Sequence, residues 1–250
     1  MSLLAGDLAA ALDPVRFAGG LGFAAEGWQS RLLRSRAARA LVACSRQVGK
    51  STTVGYRAPH TAVYNAGRDV LVISPTQRQS DELLLRVASL YRGMPDRPKL
   101  KRDNSSEMTL QNGARIVSLP GSEGGIRGFA NVKLLILDEA ARIEDDVFAS
   151  AVPMVGSDGQ IVALSTPWGR RGWFFDLHED PLNGWERHRV TVHESAQWPA
   201  SRIAEVRSAV GGFVFASDYL AEFGDTDTQL FSSESVRAAF SGAVAPVEVF

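Results

Sequence analysis

The stretch Ala40–Thr53, ALVACSRQVGKSTT, constrains the fold more than any other. A run of small and apolar residues, Ala40-Leu41-Val42-Ala43, ends at Cys44-Ser45, and Arg46-Gln47-Val48-Gly49-Lys50-Ser51 follows. This order predicts a buried strand, a tight turn and the start of a helix, the setting in which a loop binds phosphate. Backbone N–H groups at a helix start point toward an anion, and the helix dipole favours negative charge there. Gly49 lets the backbone approach a phosphate oxygen, Lys50 reaches the terminal phosphates, and Ser51 holds a magnesium ion. The pattern G-x-x-x-x-G-K-[ST] asks for glycine at position 44, where this chain has Cys44. On this stretch alone, a surface Gly-Lys-Ser turn stands as the alternative.

The flanking sequence repeats a strand, loop, helix rhythm. After a helix from Lys50 to about His60, Asp69–Ser74 is a second apolar strand rich in β-branched residues. Leu83, Leu84, Val87 and Leu90 then recur at helical spacing. The rhythm is that of a mostly parallel α/β sheet flanked by helices. Residues 92–106 interrupt it: Arg92, Arg97, Lys99, Lys101 and Arg102 crowd among prolines and a glycine, as a solvated connection or as a loop touching a phosphate backbone. Asn112-Gly113 between two alternating runs predicts a hairpin over Met108–Val117.

Lys133–Ala141, KLLILDEAA, supplies the second half of the chemistry. A buried strand that ends in Asp138-Glu139 needs a cation or a hydrogen-bond network to offset desolvation of the two carboxylates. Asp138 is placed to bind magnesium and Glu139 to polarise an attacking water. Alternation along the strand points the two side chains differently. The next strand, Gln160–Leu164, ends in Ser165-Thr166-Pro167, and strand C-termini line the crevice of a parallel sheet. Upstream, Trp28-Gln29 offers an amide able to read an adenine edge, or a core tryptophan beside a surface glutamine. The glycine-rich 121–128 segment carries Arg127, a candidate for reaching a phosphate. Trp185–Val192 reads as a further strand. Residues 201–223 read as two short helices whose Phe213, Phe215, Tyr219 and Phe223 pack.

Bulk properties narrow the class. Apolar residues make up 45% and charged residues 22% of 250 residues, an ordinary globular balance for one large domain or one with a small appendage. The net charge of −1 gives no overall field for nucleic acid, so any such contact comes from local patches. One cysteine excludes an intramolecular disulfide and a cysteine metal cage, consistent with a reducing cytoplasm. No apolar run is long enough to span a bilayer, and Asp7 and Asp13 interrupt the apolar N-terminus, so no signal peptide is read. His60, His178, His188 and His193 show no metal spacing and are read as structural or surface residues.

Taken together, CSRQVGKST, LLILDEAA and LSTP resemble the ATPase half of tailed-phage terminase large subunits, over roughly residues 20–235. The glycine-lacking form S-R-Q-x-G-K-[ST] is similar to that family's variant loop, and WQSRLLRS resembles its adenine-side motif. Ile126-Arg127-Gly128 is similar too, and Phe215–Phe223 looks like its lid segment.

The resemblance implies a P-loop NTPase of RecA/ASCE-like fold: an ATPase core over 1–200, a helical lid over 201–240 and the start of a linker over 241–250. It implies ATP and Mg²⁺ as ligands, with nucleotide held by Gln29, Ser45, Arg46, Gln47, Gly49, Lys50, Ser51, Thr52, Ser165 and Thr166. Ser51 and Asp138 would hold the metal. Glu139 would activate water, Arg46 would contact the γ-phosphate, and Arg127 would act as an arginine finger across subunits. The implied partners are double-stranded DNA, a portal protein and a small terminase subunit, in a homo-oligomeric ring on the portal that is monomeric in isolation. The implied setting is the host cytoplasm without membrane contact. Asp225 and Asp227 lie too near the lid segment for a two-metal site, so no nuclease activity is expected from this stretch. A helicase-like DNA-dependent ATPase and a nucleotide-gated portal-docking module without turnover are the competing functions.

Overall fold

Successive residues of the apolar strands face opposite sides of one sheet, and two hydrophobic layers form there. The computed structural model describes residues 3–95, 97–121, 128–224 and 239. Its strands are β1 (Arg39–Cys44), β2 (Asp69–Ser74), β3 (Leu100–Asp103), β4 (Glu107–Leu110), β5 (Arg115–Pro120), β6 (Val132–Asp138), β7 (Val155–Ser165) and β8 (Glu186–Val190). They form one sheet in the order β3-β4-β5-β2-β6-β7-β1-β8. Pairing is parallel from β5 to β8 and antiparallel only through β3, β4 and β5.

On one face, Val42 and Cys44 of β1, Leu134 and Ile136 of β6 and Val162 and Leu164 of β7 share a core with Trp28, Val54, Leu84 and Tyr91. That face is covered by α3 (Gly27–Arg34), α4 (Lys50–Tyr64) and α5 (Gln77–Arg92). On the other face, Leu41, Leu135, Leu137, Ile161 and Ala163 pack with Val147, Trp173 and Phe174. These last come from α6 (Asp145–Ala151) and α7 (Gly172–Glu179). Strands apolar on both faces are what a doubly covered parallel sheet requires. At the N-terminal side, α1 (Leu3–Leu12) and α2 (Pro14–Gly20) lie against α4, and at the C-terminal side α8 (Ala200–Ala209) and α9 (Gly212–Leu220) form a helical pair.

The crossover order decides where the chemistry sits. β7 lies between β1 and β6, in register Leu41↔Ala163↔Leu137. The C-terminal ends of these three strands therefore emerge side by side, carrying the Cys44–Ser51 loop, Thr166 and Asp138 to one rim.

Residues 92–106 are not a continuous connection: β3 lies within them as an edge strand. Its Lys101, Arg102 and Asp103 are exposed, and charge on an edge strand both hides it from pattern reading and discourages pairing with another chain. The predicted hairpin forms as β4 and β5, with Gly113 at φ 86° in the turn. The strand predicted over Trp185–Val192 is shorter, and His193 lies in a following 3₁₀ turn, Val192–Glu194.

His60 ties the N-terminal helices to α4. Its Nε2 lies 3.1 Å from the Ala10 carbonyl, its ring meets Phe17 edge-on at 5.2 Å, and it is 9% exposed. Burial, aided by the Arg57 charge, pulls its pKa down to about 4. A histidine depressed from 6.5 to about 4 stays neutral in the fold while the unfolded chain takes up a proton. Stability is then fully present above pH 6.5 and is lost as pH falls toward 4. The loss from this group is on the order of 3 kcal/mol, at about 1.4 kcal/mol per pH unit. His60→Gln keeps an N–H donor for Ala10 but cannot titrate. Its melting temperature, followed by circular dichroism from pH 7 to 4, is expected to fall distinctly less than that of the parent.

Candidate nucleotide site

The loop between β1 and α4 explains why Cys44 suffices where glycine is usual. Cys44 is the last residue of β1, extended and paired with Val190 of β8, so no left-handed backbone is needed there. Its thiol is fully buried, with Sγ 3.6 Å from the Ser165 carbonyl, and burial pushes its pKa up to about 12. The loop instead turns at Gln47 (φ 55°) and Gly49 (φ 89°). A β-carbon at Gly49 would sit 2.8 Å from the Gln29 amide nitrogen, so both conformation and space reserve this position for glycine.

Gly49 caps α4, and Lys50 and Ser51 open its first turn. Lys50 Nζ lies 2.8 Å from Glu139 Oε1, and Ser51 Oγ donates to Asp138 Oδ2 at 3.1 Å. Two segments 87 positions apart thus meet by two polar contacts at one rim. Burial lowers the Lys50 pKa, but the negative groups around it, Glu139 with its hydrogen bond and Asp138, outweigh it and hold the ammonium above its ordinary range. Burial dominates at Asp138 and raises its carboxyl, against the pull of Lys50. Asp138 and Glu139 do differ in direction, but not by strand alternation. Glu139 lies beyond β6 in left-handed backbone, φ 52°, an uncommon conformation for a side-chain-bearing residue and one concentrated at functional sites.

Around this pair a cleft of about 200 Å³ is lined by Arg46, Gln79, Glu139, Arg142 and Thr166. Sequence reading named Arg46, Glu139 and Thr166; it missed Gln79 and Arg142. Gln79 stands in the first turn of α5, just past the C-terminal end of β2, and Arg142 ends a 3₁₀ turn directly after Glu139. The rule that strand ends line the crevice was the available signal for both.

Several expected ligands spend their side chains elsewhere. Ser45 Oγ donates to the Tyr219 carbonyl at 2.5 Å and its N–H to the Val190 carbonyl. Gln47 Oε1 accepts from Arg202, and its carbonyl accepts from the Trp198 indole. Arg46 lines the cleft but also pairs with Asp218 at 2.9 Å, and its N–H donates to the Asp218 carbonyl. Thr52 Oγ1 accepts from Arg86, and Ser165 Oγ donates to the Thr166 carbonyl. Gln29 is 3% exposed: its Oε1 accepts the Glu26 N–H in the capping box of α3, and its amide nitrogen faces Gly49. Arg127, residues 225–238 and 240 of the expected 201–240 lid, and the expected 241–250 linker lie outside the described residues.

Comparison with known proteins identifies the family and matches the fold. The family described as terminase large subunit, T4likevirus-type, N-terminal, matches residues 41–239. The Thermus phage P74-26 large terminase ATPase domain superposes with a TM-score of 0.70 at 21% identity, over 83% of this chain and 97% of that one. The large terminase of a thermophilic bacteriophage gives 0.69 at 12% identity over 80% of this chain, and that of bacteriophage HK97 gives 0.67 at 12% over 80%. This chain spans only about half of those two, 54% and 51%.

Serine, arginine and glutamine of the loop are all bonded to α8 and α9 or the turn before them. Asp218→Ala removes the side-chain anchor. A half-exposed ion pair contributes roughly 0.2–1 kcal/mol. Amides of α9 are therefore expected to exchange hydrogen about two- to five-fold faster, with protection of β1 unchanged.

Proposed function

The chain belongs to the T4-like-virus-type terminase large-subunit family, which it matches across the N-terminal region, and from that premise we propose that it is the ATP-hydrolysing motor that drives double-stranded DNA into a procapsid. The observation that carries this reading is the double contact of Lys50 with Glu139 and of Ser51 with Asp138. It unites a phosphate-binding lysine, a hydroxyl–carboxylate pair and a base at one helix N-terminus. The large terminase of the thermophilic bacteriophage is known in complex with ATP-γ-S, which supports a nucleotide as the ligand.

The residues fit magnesium. A serine hydroxyl and a buried carboxylate are hard oxygen donors, and the ion takes few protein ligands when phosphates supply the rest. Ser51 and Asp138 would hold it, and it would supply positive charge to offset the charge that develops on the phosphates. Burial already disfavours the charge on Asp138, and a cation beside it offsets that cost.

In this scheme Lys50 and the N–H groups opening α4 hold the terminal phosphates. Gly49 gives the backbone access, and the first-turn N–H of Thr52 adds to the dipole. Glu139 accepts the proton of a water as its oxygen attacks the γ-phosphorus, and ADP leaves. Arg46 turns between Asp218 and the γ-phosphate. Thr166, with Ser165 behind it, carries the change to β7. Gln29 faces the adenine side, and Ser45 and Gln47 act by holding the loop to a C-terminal lid, 201–240. Arg127 serves as a finger toward a neighbouring subunit on the sequence argument alone. The partners are DNA, a portal and a small terminase subunit, the assembly is a ring on the portal, and the setting is the host cytoplasm. Among the described residues no helix is long and apolar enough to cross a membrane. We assign no DNA cleavage to this stretch.

Removing a general base costs typically ~10²–10⁴ in rate. Glu139→Gln is expected to lower phosphate release at least ~100-fold while ATP-γ-S still binds, and Lys50→Ala to lose binding itself. Undiminished turnover in Glu139→Gln would remove Glu139 from the role of base. Separation of a forked duplex without packaging would replace the motor by a helicase-like enzyme.

A further inference from the structure

One cation at the cleft has no role in the scheme above. Arg142 lines the same cleft as Glu139 and Thr166, reached by a single 3₁₀ turn in which its N–H donates to the Glu139 carbonyl at 2.9 Å. The other basic groups there are engaged: Lys50 with Glu139 and Arg46 with Asp218. The Arg142 side chain has no hydrogen-bond acceptor and no ion-pair partner among the described residues. Its guanidinium lies 3.9 Å from the centre of the Trp168 ring. Glu144, Asp145 and Asp146 line the adjoining groove with it, but Asp145 instead accepts the Trp173 N–H.

A guanidinium stacked on an indole keeps its in-plane donors for another acceptor, and the fork matches phosphate oxygens. Trp168 is 42% exposed, a cost in apolar surface that the stack partly offsets, and it follows directly on Thr166-Pro167 at the end of β7. We propose that Arg142 contacts the terminal phosphate of a nucleoside triphosphate from within its own chain, with Trp168 as the residue that positions it. This rests on the nucleotide-site reading above and adds to it a means of telling triphosphate from diphosphate. Because the ring belongs to the segment after β7, the loop Trp168–Arg171 then responds to the terminal phosphate through Arg142 as well as through Thr166.

The test is binding of ADP and of ATP-γ-S, each with magnesium, to the whole chain, together with its tryptophan emission. Loss of a hydrogen bond to a charged group corresponds to roughly ten- to hundred-fold in affinity. Arg142→Ala is expected to weaken ATP-γ-S by that factor and to leave ADP within about two-fold. Arg142→Lys, which keeps charge but not the fork, is expected to fall between. The emission change on adding ATP-γ-S should exceed that with ADP in the parent, and this excess should vanish in Arg142→Ala and in Trp168→Phe. Trp168→Phe retains an aromatic face and should keep the discrimination in binding, whereas Trp168→Ala should lose part of it. Unaltered discrimination in Arg142→Ala, or equal weakening of both nucleotides, overturns the assignment while the nucleotide site stands. A parent chain that binds neither nucleotide overturns both.

Discussion

Two opposite charges held at one strand rim are the constraint on which the structure depends. Lys50 and the Asp138-Glu139 pair are each costly to bury alone, and each is tolerated only beside the other. Their meeting is a matter of sheet order. β7 separates β1 from β6, so the lysine approaches across one strand, from a helix that begins where β1 ends. Were β1 and β6 adjacent, the β1–α4 loop would crowd the carboxylates and leave no width for phosphates. The place of Thr166 between them follows from the same order, since the middle strand must end in the middle of the site.

The loop itself is held from outside. In a loop whose backbone N–H groups face a ligand, side chains are free for other work, and here Ser45, Arg46 and Gln47 reach toward Tyr219, Asp218 and Arg202. Trp198, edge-on to Tyr219, and Phe215, stacked on Tyr219, back these contacts. Loop and helical pair are thereby joined by a contiguous route of bonded groups rather than by mere proximity.

Strands β1, β2 and β6, the hairpin and the convergence of Lys50 with Asp138-Glu139 were legible in the sequence because buried strands and Gly-Lys-Ser turns carry strong local signals. β3 was not, because three of its four residues are charged and an edge strand needs no apolar alternation. Gln79, Arg142 and Trp168 were missed for a different reason: nothing local marks a surface glutamine or arginine until the topology places it at a strand end. The side chains of Ser45, Gln47, Thr52 and Ser165 illustrate the converse. A motif predicts which backbone lies near the ligand, whereas side-chain direction depends on partners no motif names: residues of α9, α8 and α5 for Ser45, Gln47 and Thr52, and the Thr166 carbonyl for Ser165. The two directions of Asp138 and Glu139 came from a left-handed residue, which alternation cannot foresee.

Competition for cations gives the site its logic. Lys50 is shared between Glu139 and whatever anion enters, and Arg46 between Asp218 and the same anion. A triphosphate carries more negative charge than either carboxylate, and the helix N-terminus adds to its hold. A phosphate that took Lys50 would remove the counter-charge Glu139 now has. One that took Arg46 would leave Asp218 without its side-chain partner. In the proposed scheme the arrival of charge in the cleft would thus reach Glu139 and the helical pair together, with no separate signal between them.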